Sequence, residues 1–102
     1  MAVENVLTQH IEKTPGVVGG KARIAGTRIR VMDIVVWHER QGMSADEIVA
    51  DFPHLTLADV FAALAYYFDN REEIEESFAR EKAMVEEMQK KYPSLLKEKL
   101  GK

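Results

Sequence analysis

The chain has 102 residues, 46% of them hydrophobic and 30% charged, with a net charge of −3; this length allows one domain around one small core, and the balance is too apolar for a chain disordered throughout. The absence of cysteine excludes a disulfide framework, a thiolate zinc site and a cysteine nucleophile. No basic stretch precedes an apolar run near the N-terminus, and nowhere do about 18 apolar residues follow one another, so a cytoplasmic protein without membrane spans is expected.

The first ten residues carry no strong pattern and read as a loosely ordered lead-in. Pro15-Gly16, Gly19-Gly20 and Gly26 then mark turns. Between them Val17-Val18, Ala22-Arg23-Ile24 and Thr27–Val31 are too short for helices and β-branched enough for short strands, so residues 10–30 form a compact ribbon. At Val31 the period changes. Val31, Ile34, Val35 and either Trp37 or His38 share a helical face, and Gly42 closes a first helix over about 31–41. Ser44-Ala45-Asp46-Glu47 matches a capping box for a short second helix, 45–51, that buries Ile48 and Val49. Pro53 cannot continue it, and Thr56 with Asp59 opens a third helix over 57–69, with Leu57, Val60, Phe61, Leu64 and Phe68 at helical spacing. Asn70 with Glu72 and Glu73 can cap a fourth helix that ends in Lys90-Lys91 and stops at Pro93. The expected fold is mainly α: a helix–turn–helix-like core of three helices with a short N-terminal β-ribbon (1–69), followed by a C-terminal amphipathic helical extension (70–102).

Charge is unevenly spread. Residues 1–43 carry six Lys or Arg against four acids, and residues 44–102 carry eight against thirteen, which suggests two surfaces of different sign. Lys21, Arg23, Arg28 and Arg30 concentrate the positive charge in the ribbon. In extended pieces Lys21 and Arg23 would share a face, as would Arg28 and Arg30, and a dimer would duplicate them against DNA phosphates. A solvated edge that discourages strand pairing is the competing reading. The helix pair 45–51 and 57–69 has the lengths of a DNA-reading pair, yet the exposed start of the second, Thr56, Ala58, Asp59 and Ala62, offers no Arg, Lys, Asn or Gln to a base edge. A hairpin that only builds the core fits it better.

On the fourth helix Ile74, Phe78, Val85, Met88 and Tyr92 lie close to one apolar stripe, interrupted by Glu81, with Met84 beside it and glutamates around it. Such a stripe either packs on its own core or is covered by a partner, a second copy or another protein. His10, His38 and His54 lack metal-ligand spacing, no phosphate-binding loop is present, and no catalytic residues, metal or cofactor are expected.

Taken together, Thr14-Pro15-Gly16-Val17-Val18-Gly19-Gly20-Lys21-Ala22-Arg23-Ile24-Ala25-Gly26-Thr27-Arg28-Ile29-Arg30-Val31, then Gly42–Ile48 and Phe52–Thr56, resemble the hallmarks of the domain-of-unknown-function 433 family, in the family's order. The resemblance implies a small helix–turn–helix protein similar to VapB-type antitoxins. It would pair with a PIN-like ribonuclease toxin, hold that toxin inactive and bind its own operator. The residues themselves lead us to expect a homodimer that acts by stoichiometric binding and is not an enzyme. Arg30 stands where relatives often have proline, and the segment 70–102 is longer than the family's usual tail. Against this antitoxin reading stand a DNA-binding regulator without a toxin and a structural dimeric adaptor.

Overall fold

The computed structural model describes residues 9–91. Two short strands open the described chain: β1 (Ile11–Glu12) pairs antiparallel with β2 (Arg23–Ile24), Ile11 opposite Ile24 and Glu12 opposite Arg23. Four helices follow, α1 (Val31–Val35, continued by a π turn over Val36–Arg40), α2 (Ala45–Asp51), α3 (Leu57–Asp69) and α4 (Arg71–Lys91). The fold is mainly α with a two-stranded N-terminal sheet.

The ribbon is held by turns more than by strands. Thr27 N–H returns to the Ile24 carbonyl at 3.0 Å, with Gly26 between them at φ +77°, a conformation that costs a residue with a Cβ but not glycine. The Gly26 N–H donates to the Glu12 carboxylate at 2.9 Å, and the chain returns antiparallel through Ile24 N–H to the Ile29 carbonyl and Val31 N–H to the Ala22 carbonyl. Val17-Val18, expected as a strand, instead enters a 3-10 turn over Val18–Gly20. Val18 and the two glycines after it all take positive φ, which no extended strand allows.

The helix starts follow local chemistry. The Ser44 hydroxyl accepts the Glu47 N–H while the Glu47 carboxylate accepts the Ser44 N–H, at 3.1 and 2.8 Å. Thr56 and Asp59 repeat the exchange at 3.0 Å both ways. Each reciprocal pair satisfies donors that the first turn cannot use internally. Asn70 acts differently from expectation. Its side-chain amide donates back to the Tyr66 carbonyl at 3.0 Å, so it closes α3, and α4 follows after a break with Glu72 and Glu73 in its first turn.

One core joins all of these elements. Ile24, Val31, Ile34, Val35, Ile48, Leu55 and Val60 are its largest fully buried side chains, each contributing about 1.5–3 kcal/mol relative to exposure. The third helix buries Val60, Ala62, Ala63, Leu64 and Tyr67 and leaves Leu57, Phe61 and Phe68 outside. The expected helix is therefore present, but turned: alanines on the inner face let α1 approach closely, and three of the five large side chains expected inside face away. Trp37 and Phe52 stack with centroids 4.6 Å apart, which ties the end of α1 to the end of α2. At the α3–α4 junction Tyr66 donates to Glu73 and Tyr67 to Glu75 at 2.6 Å. The Glu75 hydrogen bond, followed by burial, raises the Tyr67 pKa, and burial followed by Glu73 raises that of Tyr66.

His10, assigned above to a loose lead-in, is anchored. Its Nδ1 lies 2.7 Å from the Asp59 carboxylate, which can only accept, so Nδ1 carries the proton. Burial works to raise the Asp59 pKa, but the Thr56 N–H, the His10 ring and the Thr56 hydroxyl outweigh it, and the net shift is downward. A depressed carboxyl pKa contributes stability that is present above the unfolded value and is lost as pH falls through the folded one. The melting-temperature gap between the native chain and Asp59→Asn is therefore expected to narrow between about pH 6 and about pH 3. A gap that stays constant over that range would show that the charge of Asp59 contributes nothing.

Candidate functional site

Of the four basic residues expected to face DNA, Lys21, Arg23, Arg28 and Arg30, three are committed within the fold. Arg23 is 8% exposed; its guanidinium donates to the Thr14 hydroxyl at 2.9 Å and to the Thr27 carbonyl at 3.1 Å, with the Glu12 carboxylate 3.5 Å away. The expected alternation fails here because the paired strand is only Arg23–Ile24 and the loops on both sides fold over it. Arg30 donates to Asp33 at 2.8 Å and also to Glu81 of α4. Asp33 also accepts the Arg30 backbone N–H at 2.9 Å, so one carboxylate caps α1 and holds the guanidinium. The Asp33 hydrogen bond, then Glu81, raises the Arg30 pKa further above its ordinary value despite burial. Lys21 lies 3.8 Å from Glu81. Among the described residues Arg28 alone of the four is exposed without an ion pair.

This explains the glutamate that interrupts the apolar stripe of α4: Glu81 faces the ribbon and joins the fourth helix to it. The stripe itself divides at that point. Ile74 belongs to the core and Phe78 packs against it, under the Arg40 guanidinium 3.9 Å from the ring centroid. These two of the expected partner-binding residues therefore serve the chain's own packing, because the core extends further along α4 than a chain of this length suggested. Beyond Glu81 every described residue, from Lys82 to Lys91, is exposed, about 15 Å of helix. Met84, Val85 and Met88 on this projection are 59%, 53% and 51% exposed. Tyr92, the last residue expected on the stripe, and Pro93 lie outside the described residues.

Electrostatics also differs along α4. The glutamates of its first turns are mostly engaged: Lys13 reaches Glu73 at 3.0 Å, Arg40 reaches Glu75 at 3.9 Å and Arg80 reaches Glu76 at 3.8 Å. The Glu73 hydrogen bond raises the Lys13 pKa. Lys82, Glu86, Glu87, Lys90 and Lys91 give the projection mixed charge, so its distinguishing surface is the methionine–valine cluster, not an acidic flank. Met84, treated in the sequence as a neighbour of the stripe, is its most exposed member; the signal for it was its i, i+4 relation to Met88.

The helix pair α2–α3 does not present a polar reading face. Ala62 is buried and Asp59 is turned toward His10, and the open side of α3 carries Leu57, Phe61 and Phe68. No three metal-ligating side chains come together among the described residues, and no described helix is long and apolar enough to cross a membrane.

Residues 11–67 match the family model described as "Protein of unknown function (DUF433)", a match that runs from β1 to Tyr67 and ends before α4. The chain is also similar to the crystal structure of a DUF433 member protein from Anabaena variabilis, at 42% identity and a TM-score of 0.65, covering 74% of each chain. No curated protein matches.

Proposed function

Because this chain belongs to the DUF433 family of proteins of unknown function, we propose its role from the surface it presents: it is a stoichiometric binding module, the antitoxin half of a toxin–antitoxin pair. The observation that carries this reading is the free projection of α4, where Met84, Val85 and Met88 stand on Lys82–Lys91 with no part of the described chain covering them. An amphipathic helix of this kind binds by laying its apolar side chains into a groove, with anchors at i, i+3 and i+4 spacing. Methionine suits the task, since its unbranched thioether adapts to the groove it meets.

The partner proposed is a PIN-like ribonuclease toxin, as the likeness to VapB-type antitoxins suggests, and the site of action is the cytoplasm. The protein would act by occupying the toxin's surface and needs no catalytic residue of its own. For operator binding the ribbon offers Arg28 as its one Lys or Arg without an ion pair among the described residues, so toxin holding is the role supported best. Phosphate contacts by a single cation per copy would leave DNA affinity weak and only shallowly dependent on salt.

Co-expression with the product of the adjacent open reading frame tests the reading. The expected result is a complex that survives purification and relieves the growth arrest caused by the neighbour alone. A neighbour that neither binds nor slows growth overturns it.

A further inference from the structure

The third helix has a second apolar face, remote in role from the α4 projection, that the described residues leave open. Leu57, Phe61 and Phe68 are 42%, 56% and 53% exposed. At 3.6 residues per turn they fall with the exposed Ala58, Ala65 and Asp69 within about a third of the helix circumference. We propose that this face pairs with the same face of a second copy of the chain, in an antiparallel helix–helix contact.

The order of large and small side chains identifies the occupant. A twofold axis level with Ala63 sets Phe61 of one copy opposite Ala65 of the other, and Phe68 opposite Ala58. Every ring then meets a position where only a methyl group stands, and the spacing repeats in reverse, as an isologous interface requires. Charge agrees with the same register. It brings Asp69 beside the first turn of the opposing α3, where the N–H groups of Leu57 and Ala58 have no acceptor within their own helix. The Thr56 hydroxyl is already used by the Asp59 N–H. The Asp69 carboxylate thus meets the positive end of the opposing helix.

The open parts of the two phenylalanines and Leu57 amount to about 300 Å² per copy, from the ordinary sizes of these side chains. That is below the roughly 800 Å² per partner of a standard stable interface. The dimer should therefore be weak, populated toward the upper end of the micromolar range, and exchange readily. It does not depend on the antitoxin reading, because it uses another helix and needs no second protein.

Sedimentation equilibrium of the full chain over about 1–500 μM is the test. The mass should rise from the 11.6 kDa of one chain toward twice that value. Phe61→Asp should weaken the association by about 100-fold or more, since it buries a charge at the centre of the contact, whereas Met88→Asp should leave it unchanged. Should Phe61→Asp lose its helical circular dichroism, Ala65→Glu, on the solvent side of the same helix, decides in its place. Register is read by cross-linking, because the chain has no cysteine of its own: a mixture of Phe61→Cys and Ala65→Cys chains should oxidise to the mixed dimer faster than either forms its own. A monomer throughout the range, a dimer indifferent to both α3 charges, a dimer lost on Met88→Asp, or faster self-linking of Phe61→Cys each overturns the proposal.

Discussion

Arg23→Ala is expected to destabilise the domain by about 3 kcal/mol, the cost of deleting a buried charged hydrogen-bonding group and stranding its partners. Its removal leaves the Thr14 hydroxyl, the Thr27 carbonyl and the Glu12 carboxylate without their shared donor. These groups sit on two stretches of the ribbon, Glu12 with Thr14 and the turn at Thr27, and the side chain that joins them is 8% exposed. For a domain of this size the melting temperature should fall by roughly 10–20 °C. Arg23→Lys should recover little, because an ammonium cannot reproduce two directed bonds from a planar fork. Arg28→Ala, at an exposed position with no ion pair among the described residues, should change stability by no more than about 0.5 kcal/mol. If Arg23→Ala and Arg28→Ala melt together, Arg23 does not hold the ribbon; a phosphate contact would instead lower DNA affinity and leave the melt alone.

That contrast shows where the sequence was legible. Interactions confined to three or four residues were readable: the Ser44–Glu47 and Thr56–Asp59 boxes, the break at Pro53 and the closure near Gly42 all follow from residue chemistry at fixed spacing. Arg23 was not, because its direction is set by loops that fold over a two-residue strand, and alternation has no force over so short a piece. In α3 the period was correct and the face was not. Val60, Ala63, Leu64 and Tyr67 form one apolar row and Leu57, Phe61 and Phe68 another, and a period does not say which row is inside. Size misleads at such a helix, since alanines can line the inner face for close approach while phenylalanines remain outside.

The candidate site was legible by half for a related reason. The stripe of α4 is continuous in sequence, but Ile74 and Phe78 meet the core while Met84, Val85 and Met88 pass its edge. The boundary is Glu81, which looked like an interruption. Its role becomes apparent only when Arg30, 51 positions earlier, is placed against it. A helix wheel shows which side chains share a face; how far along the helix the rest of the domain reaches is a tertiary fact.

From that boundary follows the second large effect. Val85→Asp combined with Met88→Asp should lower affinity for the proposed toxin partner by about 100-fold or more, because each change would place an unpaired carboxylate in the apolar groove that this proposal requires. Both residues are more than half exposed, so the melting temperature of the protein alone should remain within about 2 °C of the native value, in keeping with the small effects of surface changes. Phe78→Ala should do the reverse, since its ring packs on the core beneath Arg40; it should cost roughly 2–3 kcal/mol of stability, discounted for its partial burial, and retain partner binding while the domain is folded. Isothermal titration of the purified partner against both variants, beside their thermal melts, separates these roles. Full affinity in the double aspartate variant would remove the projection from the interface. A collapse of its melting temperature would instead make the end of α4 part of the chain's own packing.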